Sequence, residues 1–145
     1  MRAIIQRVSS ATLVIGSCNV QEINRGVVAL IGIEKGDSPA SAKRMAERLI
    51  GYRIFPDKQG RMNLSLSDIQ GEMLLVPNFT VAADTKKGTR AGFSTAAEPA
   101  EGIKLFQQLH KELIALNAGV KTGLFGADMQ ITLTNDGPVT FILEC

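Results

Sequence analysis

The chain opens on an alternation. In Met1-Arg2-Ala3-Ile4-Ile5-Gln6-Arg7-Val8 apolar and polar positions exchange with a period near two, and residues 2–15 are predicted as one long strand. Gly16-Ser17-Cys18-Asn19 turns it onto a short partner at residues 20–23, and a second turn at Asn24-Arg25-Gly26 leads into Val27-Val28-Ala29-Leu30-Ile31-Gly32-Ile33. That last run is apolar throughout, the pattern of a central strand covered on both faces. The period then changes: after Ser38-Pro39, Ala42, Met45, Ala46, Leu49 and Ile50 recur at helical spacing while Lys43, Arg44, Glu47 and Arg48 face away. Serine as cap and proline at the first helical position mark the start of that helix.

Further along, Arg53-Ile54-Phe55 is predicted as a strand, Pro56-Asp57-Lys58-Gln59-Gly60 as a turn, and residues 61–70 as irregular. A second buried strand runs from Glu72 through Met73-Leu74-Leu75-Val76 and leaves the sheet at Pro77, which has no N–H for a ladder. Residues 82–97 show no periodicity, and a connection of that length in a short chain is more often functional than filler. Pro99 opens a second helix with Ile103, Phe106, Leu109, Leu113 and Leu116 as its apolar stripe, closed by Asn117-Ala118-Gly119. Beyond it Met129, Ile131 and Leu133 alternate with Gln130, Thr132 and Thr134, and Phe141 and Leu143 continue the alternation. The intervening Asn135-Asp136-Gly137-Pro138-Val139-Thr140 is a hairpin turn on turn statistics alone, with Asp-Gly at its tip.

At 145 residues the chain has the length of one domain and can bury a core without disulfides. No apolar run approaches the roughly 20 residues of a membrane span, and Gln6 and Arg7 interrupt what a secretory core would need, so a cytoplasmic protein is expected. Cys18, Cys145 and a single histidine, His110, are too few for a structural zinc site, and two free thiols are expected. Sixteen Lys and Arg against fourteen Asp and Glu do not by themselves argue for nucleic acid. The cluster Lys86, Lys87 and Arg90 could meet a phosphate or could be a solvated loop.

Phosphate loops, dinucleotide fingerprints, nucleophile elbows and His-Glu-x-x-His are all missing from the sequence. Any enzyme built on it works without a bound metal or cofactor and with few ionisable groups. Polar residues at strand ends become the candidates: Asn78 and Thr80 after one buried strand, Asn135, Gly137 and Thr140 around another. Thr80 could be a nucleophile, but an internal threonine needs a base beside it; its hydroxyl could equally hold the local backbone. His110 reads as a surface or rim residue of the second helix.

Five segments together resemble the D-aminoacyl-tRNA deacylase family, in its order and spacing. They are residues 1–8, Leu75-Val76-Pro77-Asn78-Phe79-Thr80-Val81, Ala83-Asp84-Thr85-Lys86-Lys87-Gly88, Gly123-Leu124-Phe125-Gly126-Ala127-Asp128-Met129, and residues 135–140. The resemblance implies a homodimeric, metal-independent hydrolase that cleaves the ester between a D-amino acid, or glycine, and the 3'-terminal adenosine of tRNA. It carries a cis Gly-Pro peptide inserted into the neighbouring subunit onto Gly137 and Pro138, with Arg7 bracing that turn. It carries the facing pocket onto Asn78, Phe79 and Thr80 and the adenine site onto Phe125 and Met129; Lys87, from the basic cluster, joins them as a substrate-binding candidate. Pro77-Asn78 departs from the usual Ser-Gln, shortening the amide's reach by one methylene.

The fold expected is α/β, a single domain over residues 1–145, with a mixed, partly curled sheet and two main helices, or the related α+β arrangement. Two other functions fit the residues alone: a dimeric nucleic-acid-binding module using Lys86 to Arg90, and a small esterase using Thr80.

Overall fold

The computed structural model describes residues 1–16, 19–116 and 119–145. Its main sheet has six strands: β1 (Arg2–Ile15), β2 (Asn19–Ile23), β3 (Gly26–Gly32), β6 (Glu72–Pro77), β7 (Gly119–Thr122) and β8 (Met129–Glu144). The helices are α1 (Pro39–Gly51) and α2 (Pro99–Ala115); β4 (Phe55–Pro56) and β5 (Met62–Leu64) form a separate small hairpin. β1 pairs antiparallel with β3 over its first half, with β2 over its second, and with β8 along nearly its whole length. β3, β6 and β7 are parallel. The sheet is therefore mixed, as expected.

The curl has a cause in β1. Its odd-numbered Ala3 and Ile5 join the core under the helices, yet after Val8 the odd-numbered Ala11 and Leu13 join the opposite layer. The pairing with β8 shifts register between Gln6 and Val8 and again between Val8 and Ser10, and such irregularities swap faces and increase twist. Two apolar layers result. Val27, Ala29 and Ile31 of β3, with Met73 and Leu75 of β6, pack under α1 and α2; Val28, Leu74 and Val76 pack with Leu13 and Ile23 inside the curl. β3 is thus covered on both faces, which is why it reads as continuously apolar.

α1 begins as expected: the Ser38 hydroxyl accepts from the Ser41 N–H at 3.3 Å and the Ser38 N–H donates to the Ser41 hydroxyl at 3.2 Å, with Pro39 in the first turn. Its buried residues are the five named from periodicity. In α2 the stripe is rotated. Phe106, Leu109 and Leu113 are buried, but Leu105 and Gly102 complete the face, while Ile103 and Leu116 stand exposed.

Three other expectations need correcting. Residues 61–70 are not all irregular, since Met62–Leu64 pairs with Phe55–Pro56; Arg53 and Ile54 lie before that strand rather than in it. Gly119 opens β7, a strand too short for its alternation to register, while Asn117 and Ala118 fall outside the described residues, as do Ser17 and Cys18 of the first turn. Cys145 is free and exposed. Finally, residues 135–140 are no hairpin: the runs on either side belong to one strand, β8, which keeps its direction along β1. Between the pairs Gln6↔Thr140 and Val8↔Asn135, Arg7 alone faces the excursion Asp136–Val139.

The β2–β3 turn is docked onto the start of β6 by Glu72, whose carboxylate accepts from the Asn24 N–H at 2.7 Å and lies 3.7 Å from Lys121 Nζ. The Asn24 N–H, with help from Lys121, holds the Glu72 carboxyl below its ordinary value of 4.5, against a smaller upward push from burial. A depressed carboxyl stabilises the fold above its unfolded pKa and loses that contribution as pH falls through the folded one. Glu72→Gln should therefore lower stability by about 1 kcal/mol near neutral pH, a value limited by solvent screening. The gap from the parent should close on acidification below about pH 4. Urea denaturation at several pH values measures it, and a gap that widens in acid contradicts this account.

Candidate active site

Two neighbouring parallel strands, β6 and β7, end at the same side of the sheet, and the chain leaves each in a different way. Crevices beyond the carboxyl ends of parallel strands are where α/β proteins place ligands. After β6, Pro77 ends the ladder and the chain folds into a single 3₁₀ turn, Phe79–Ala82. After β7, the Gly123 N–H still donates to the Leu75 carbonyl at 2.9 Å, and residues 124–128 then cross to β8. Between these departures lies a cavity of about 280 Å³. Pro77, Asn78 and Phe79 line one side, Phe125 to Met129 the other, and Val76 and Ile131 the floor.

Asn78 organises the first wall. Its N–H donates to the Ile31 carbonyl at 2.8 Å, tying it to β3. Its Oδ1 accepts from the Thr80 N–H at 3.1 Å and from the Thr80 hydroxyl at 2.5 Å, capping the 3₁₀ turn. A short amide is suited to this local bond, which accounts for asparagine at the position. The Thr80 hydroxyl thus points its proton at an amide oxygen, a poor base. Phe79 is 57% exposed, so the wall presents an aromatic surface to solvent. It leans on Phe93 with ring centroids 5.0 Å apart. Lys86, Lys87 and Arg90 are exposed on the loop that Asp84 and Gly92 close by paired backbone bonds of 2.8 and 2.9 Å. Lys87 therefore sits outside the cavity, on a projection that ends next to its aromatic edge.

A second cluster forms at the excursion in β8. The Gly137–Pro138 peptide is cis. Arg7 Nε donates to the Asp136 carbonyl at 2.7 Å and lies 3.3 Å from the Asp136 carboxylate, while Nη1 donates to the Ile54 carbonyl at 2.6 Å. From the other side, Asn135 Oδ1 accepts from the Val139 N–H at 2.7 Å and Nδ2 donates to the Val139 carbonyl at 3.2 Å. Asp136, Gly137 and Pro138 project into solvent from this frame.

The structure therefore brings Asn78, Phe79, Phe125 and Met129 to one cavity with Thr80 beside it, and gathers Arg7, Gly137 and Pro138 elsewhere. Sequence reasoning missed Phe93, which sits in an aperiodic loop and carries no signal. It also missed the capping roles of Asn78 and Asn135; an Asx side chain just before a turn was the available clue.

The family described as D-Tyr-tRNA(Tyr) deacylase matches residues 4–144. A D-aminoacyl-tRNA deacylase of Thioalkalivibrio sulfidiphilus is 53% identical over 144 residues, covering 99% of this chain and 97% of the relative. One from Methylococcus capsulatus is 52% identical, covering 100% and 95%. Among solved structures, a c-Myc DNA Unwinding Element Binding Protein superposes with a TM-score of 0.94 at 32% identity, over 100% of this chain and 99% of the other. A probable eukaryotic D-amino acid tRNA deacylase, 15% identical over 98% of this chain and 97% of its own, shares the fold with a TM-score of 0.82. The chain is thus of the deacylase class of hydrolases. Within that class, the chain belongs to the D-Tyr-tRNA(Tyr) deacylase family.

Proposed function

We propose that this protein hydrolyses D-aminoacyl-tRNA in the cytoplasm, with the 3' end of the tRNA in the cavity beyond β6 and β7. The observation that carries the reading is the convergence of Asn78, Phe79, Phe125 and Met129 on one cavity, in a chain about half identical to named deacylases. The terminal adenine lies against Phe125 and Met129, and the ester carbonyl meets the 3₁₀ turn. Water adds to the carbonyl carbon, the bond to the ribose 3' oxygen breaks, and the water's proton goes to that oxygen. The adjacent 2'-hydroxyl of the substrate can relay it. An aminoacyl ester is already activated, so orientation and donors for the oxyanion supply most of what is needed. The first amides of a helical turn lack intrahelical partners. Asn78 takes that of Thr80, which leaves the Phe79 N–H for the oxyanion.

The chain works as a homodimer in this reading, because the Gly137–Pro138 turn belongs at the cavity of a partner. Within one chain, Met129 and Asn135 lie six residues apart along the same strand, or roughly 20 Å, so a protomer cannot bring its own turn to its own cavity. The turn offers rigid main chain, which rejects an L side chain of any identity; glycine, having none, passes.

Incubation with D- and L-aminoacyl-tRNA, following the ester, tests the function: D-esters are released and L-esters persist. Thr80→Ala should stay within about tenfold of the parent, whereas loss of a true nucleophile costs several orders of magnitude. A folded, inactive Thr80→Ala would return the nucleophile to Thr80. A second reading, a nucleic-acid-binding module, draws on the likeness to the DNA-unwinding-element binding protein, at 32% identity. It calls for salt-sensitive binding with no turnover.

A further inference from the structure

Phe125 is a wall of two cavities. On its far side lies a cleft of the same size, about 280 Å³, between α2 and the segment that follows β7. Gln107, His110 and Thr122 give it polar groups, and Leu124 and Ile103 give it apolar ones. Those last two are 58% and 39% exposed, so apolar surface is left open at its rim. Phe125 itself is backed by Phe106 of α2, ring centroids 6.4 Å apart, and so is a braced partition.

We propose that this cleft holds the nucleotide preceding the terminal adenosine, the cytidine of the C-C-A end that every tRNA carries. The inference rests on the deacylase reading, which puts adenine against Phe125. Given that, the next nucleotide must leave past one edge of the same partition, and the neighbouring cleft has the composition an unpaired base requires. Single-stranded RNA is bound by apolar or aromatic platforms under the base and hydrogen-bonding side chains at its edge. Leu124 and Ile103 supply the platform. Gln107 offers both a donor and an acceptor, and His110 offers one of each in its neutral form. The helix supplies charge as well: at 100° per residue, Ile103, Gln107 and His110 share one stripe, and the exposed Lys104 and Lys111 lie along its outer side, where a backbone phosphate would pass. A peptide occupant would use the apolar rim but would leave this lysine pair without a purpose.

Two small substrates test it: the D-aminoacyl ester of adenosine, and that of the dinucleotide cytidylyl-adenosine. The parent enzyme should hydrolyse the dinucleotide ester with kcat/KM roughly tenfold or more above the adenosine ester, from stacking of one additional base. Gln107→Ala and His110→Ala should remove that advantage through KM while leaving the adenosine ester unchanged. Because Gln107 is exposed, its variant keeps the test independent of folding. Equal turnover of both esters by the parent, or equal losses on both by the variants, overturns the nucleotide subsite alone. Hydrolysis of neither ester overturns the deacylase reading and the subsite with it.

Discussion

Gly26→Ala should destabilise the protein by about 3 kcal/mol or more and lower its melting temperature by on the order of 10 °C. Gly26 opens β3 between two neighbours, paired with Val8 of β1 on one side and Glu72 of β6 on the other. A Cβ built there would lie 1.8 Å from the Glu72 carbonyl oxygen and 2.7 Å from its carbon. Those are backbone atoms of a buried parallel pairing, so no rotamer change can relieve the overlap. Either β3 and β6 separate at their start or the β2–β3 turn lifts off β6. Glu72→Gln probes the same junction through a half-buried, solvent-screened carboxylate and should be mild, whereas the alanine acts on the strand spacing itself. Thermal melts of the two variants side by side check the ordering; a Gly26→Ala protein as stable as Glu72→Gln would mean that the junction yields.

That contrast also marks what was legible in the sequence. Periodicity found β1, α1 and α2 because each buries a stripe, as Ala42, Met45, Ala46, Leu49 and Ile50 do, and β3 showed as a continuous apolar run because both its faces are covered. It missed β7 and β5 and began β4 two residues early, since two to four residues cannot display a period and their place is fixed by neighbours distant in sequence. It misjudged the edge of α2's stripe because Ile103 has an apolar side chain but lines an open cleft rather than the core. Residues 135–140 are the instructive failure. Asp-Gly between two alternating runs is the local signature of a hairpin, and only the pairing of both runs with the same β1 reveals a bulged single strand. Asn78, Phe79, Phe125 and Met129 line one cavity, yet no property of Asn78 or Met129 alone says that the two chain departures converge. Resemblance supplied those names and the sheet supplied the convergence.

Gly137→Ala should reduce kcat/KM for D-aminoacyl-tRNA by about 100-fold, the scale expected when a positioning group moves by about 1 Å, and leave the melting temperature within a few degrees of the parent. A Cβ at Gly137 would fall 2.2 Å from the Val139 nitrogen and 3.1 Å from Asn135 Oδ1, the two atoms whose hydrogen bond holds the turn. The excursion must then take another shape. Little else need change, because residues 136–138 are exposed and β8 pairs with β1 on both sides of them. Arg7→Ala is the less discriminating probe: it frees the turn but also strips a partner from the carbonyl of buried Ile54, so its effect mixes activity with stability. The reason to expect so large an effect from an exposed glycine is the selectivity that the proposed function asks of the turn. A pocket that merely prefers one methylene to another discriminates by about 1–3 kcal/mol. Sparing the abundant L-esters by about ten-thousandfold requires roughly 5.5 kcal/mol between transition states. A main-chain wall can supply that only while its carbonyls stay where Asn135 and Arg7 hold them. Turnover of D-, L- and glycyl-tRNA by the folded variant decides the matter. If Gly137→Ala hydrolyses all three as the parent does, the turn has no part in the reaction, and chirality must be read inside the cavity at Asn78 and Phe79.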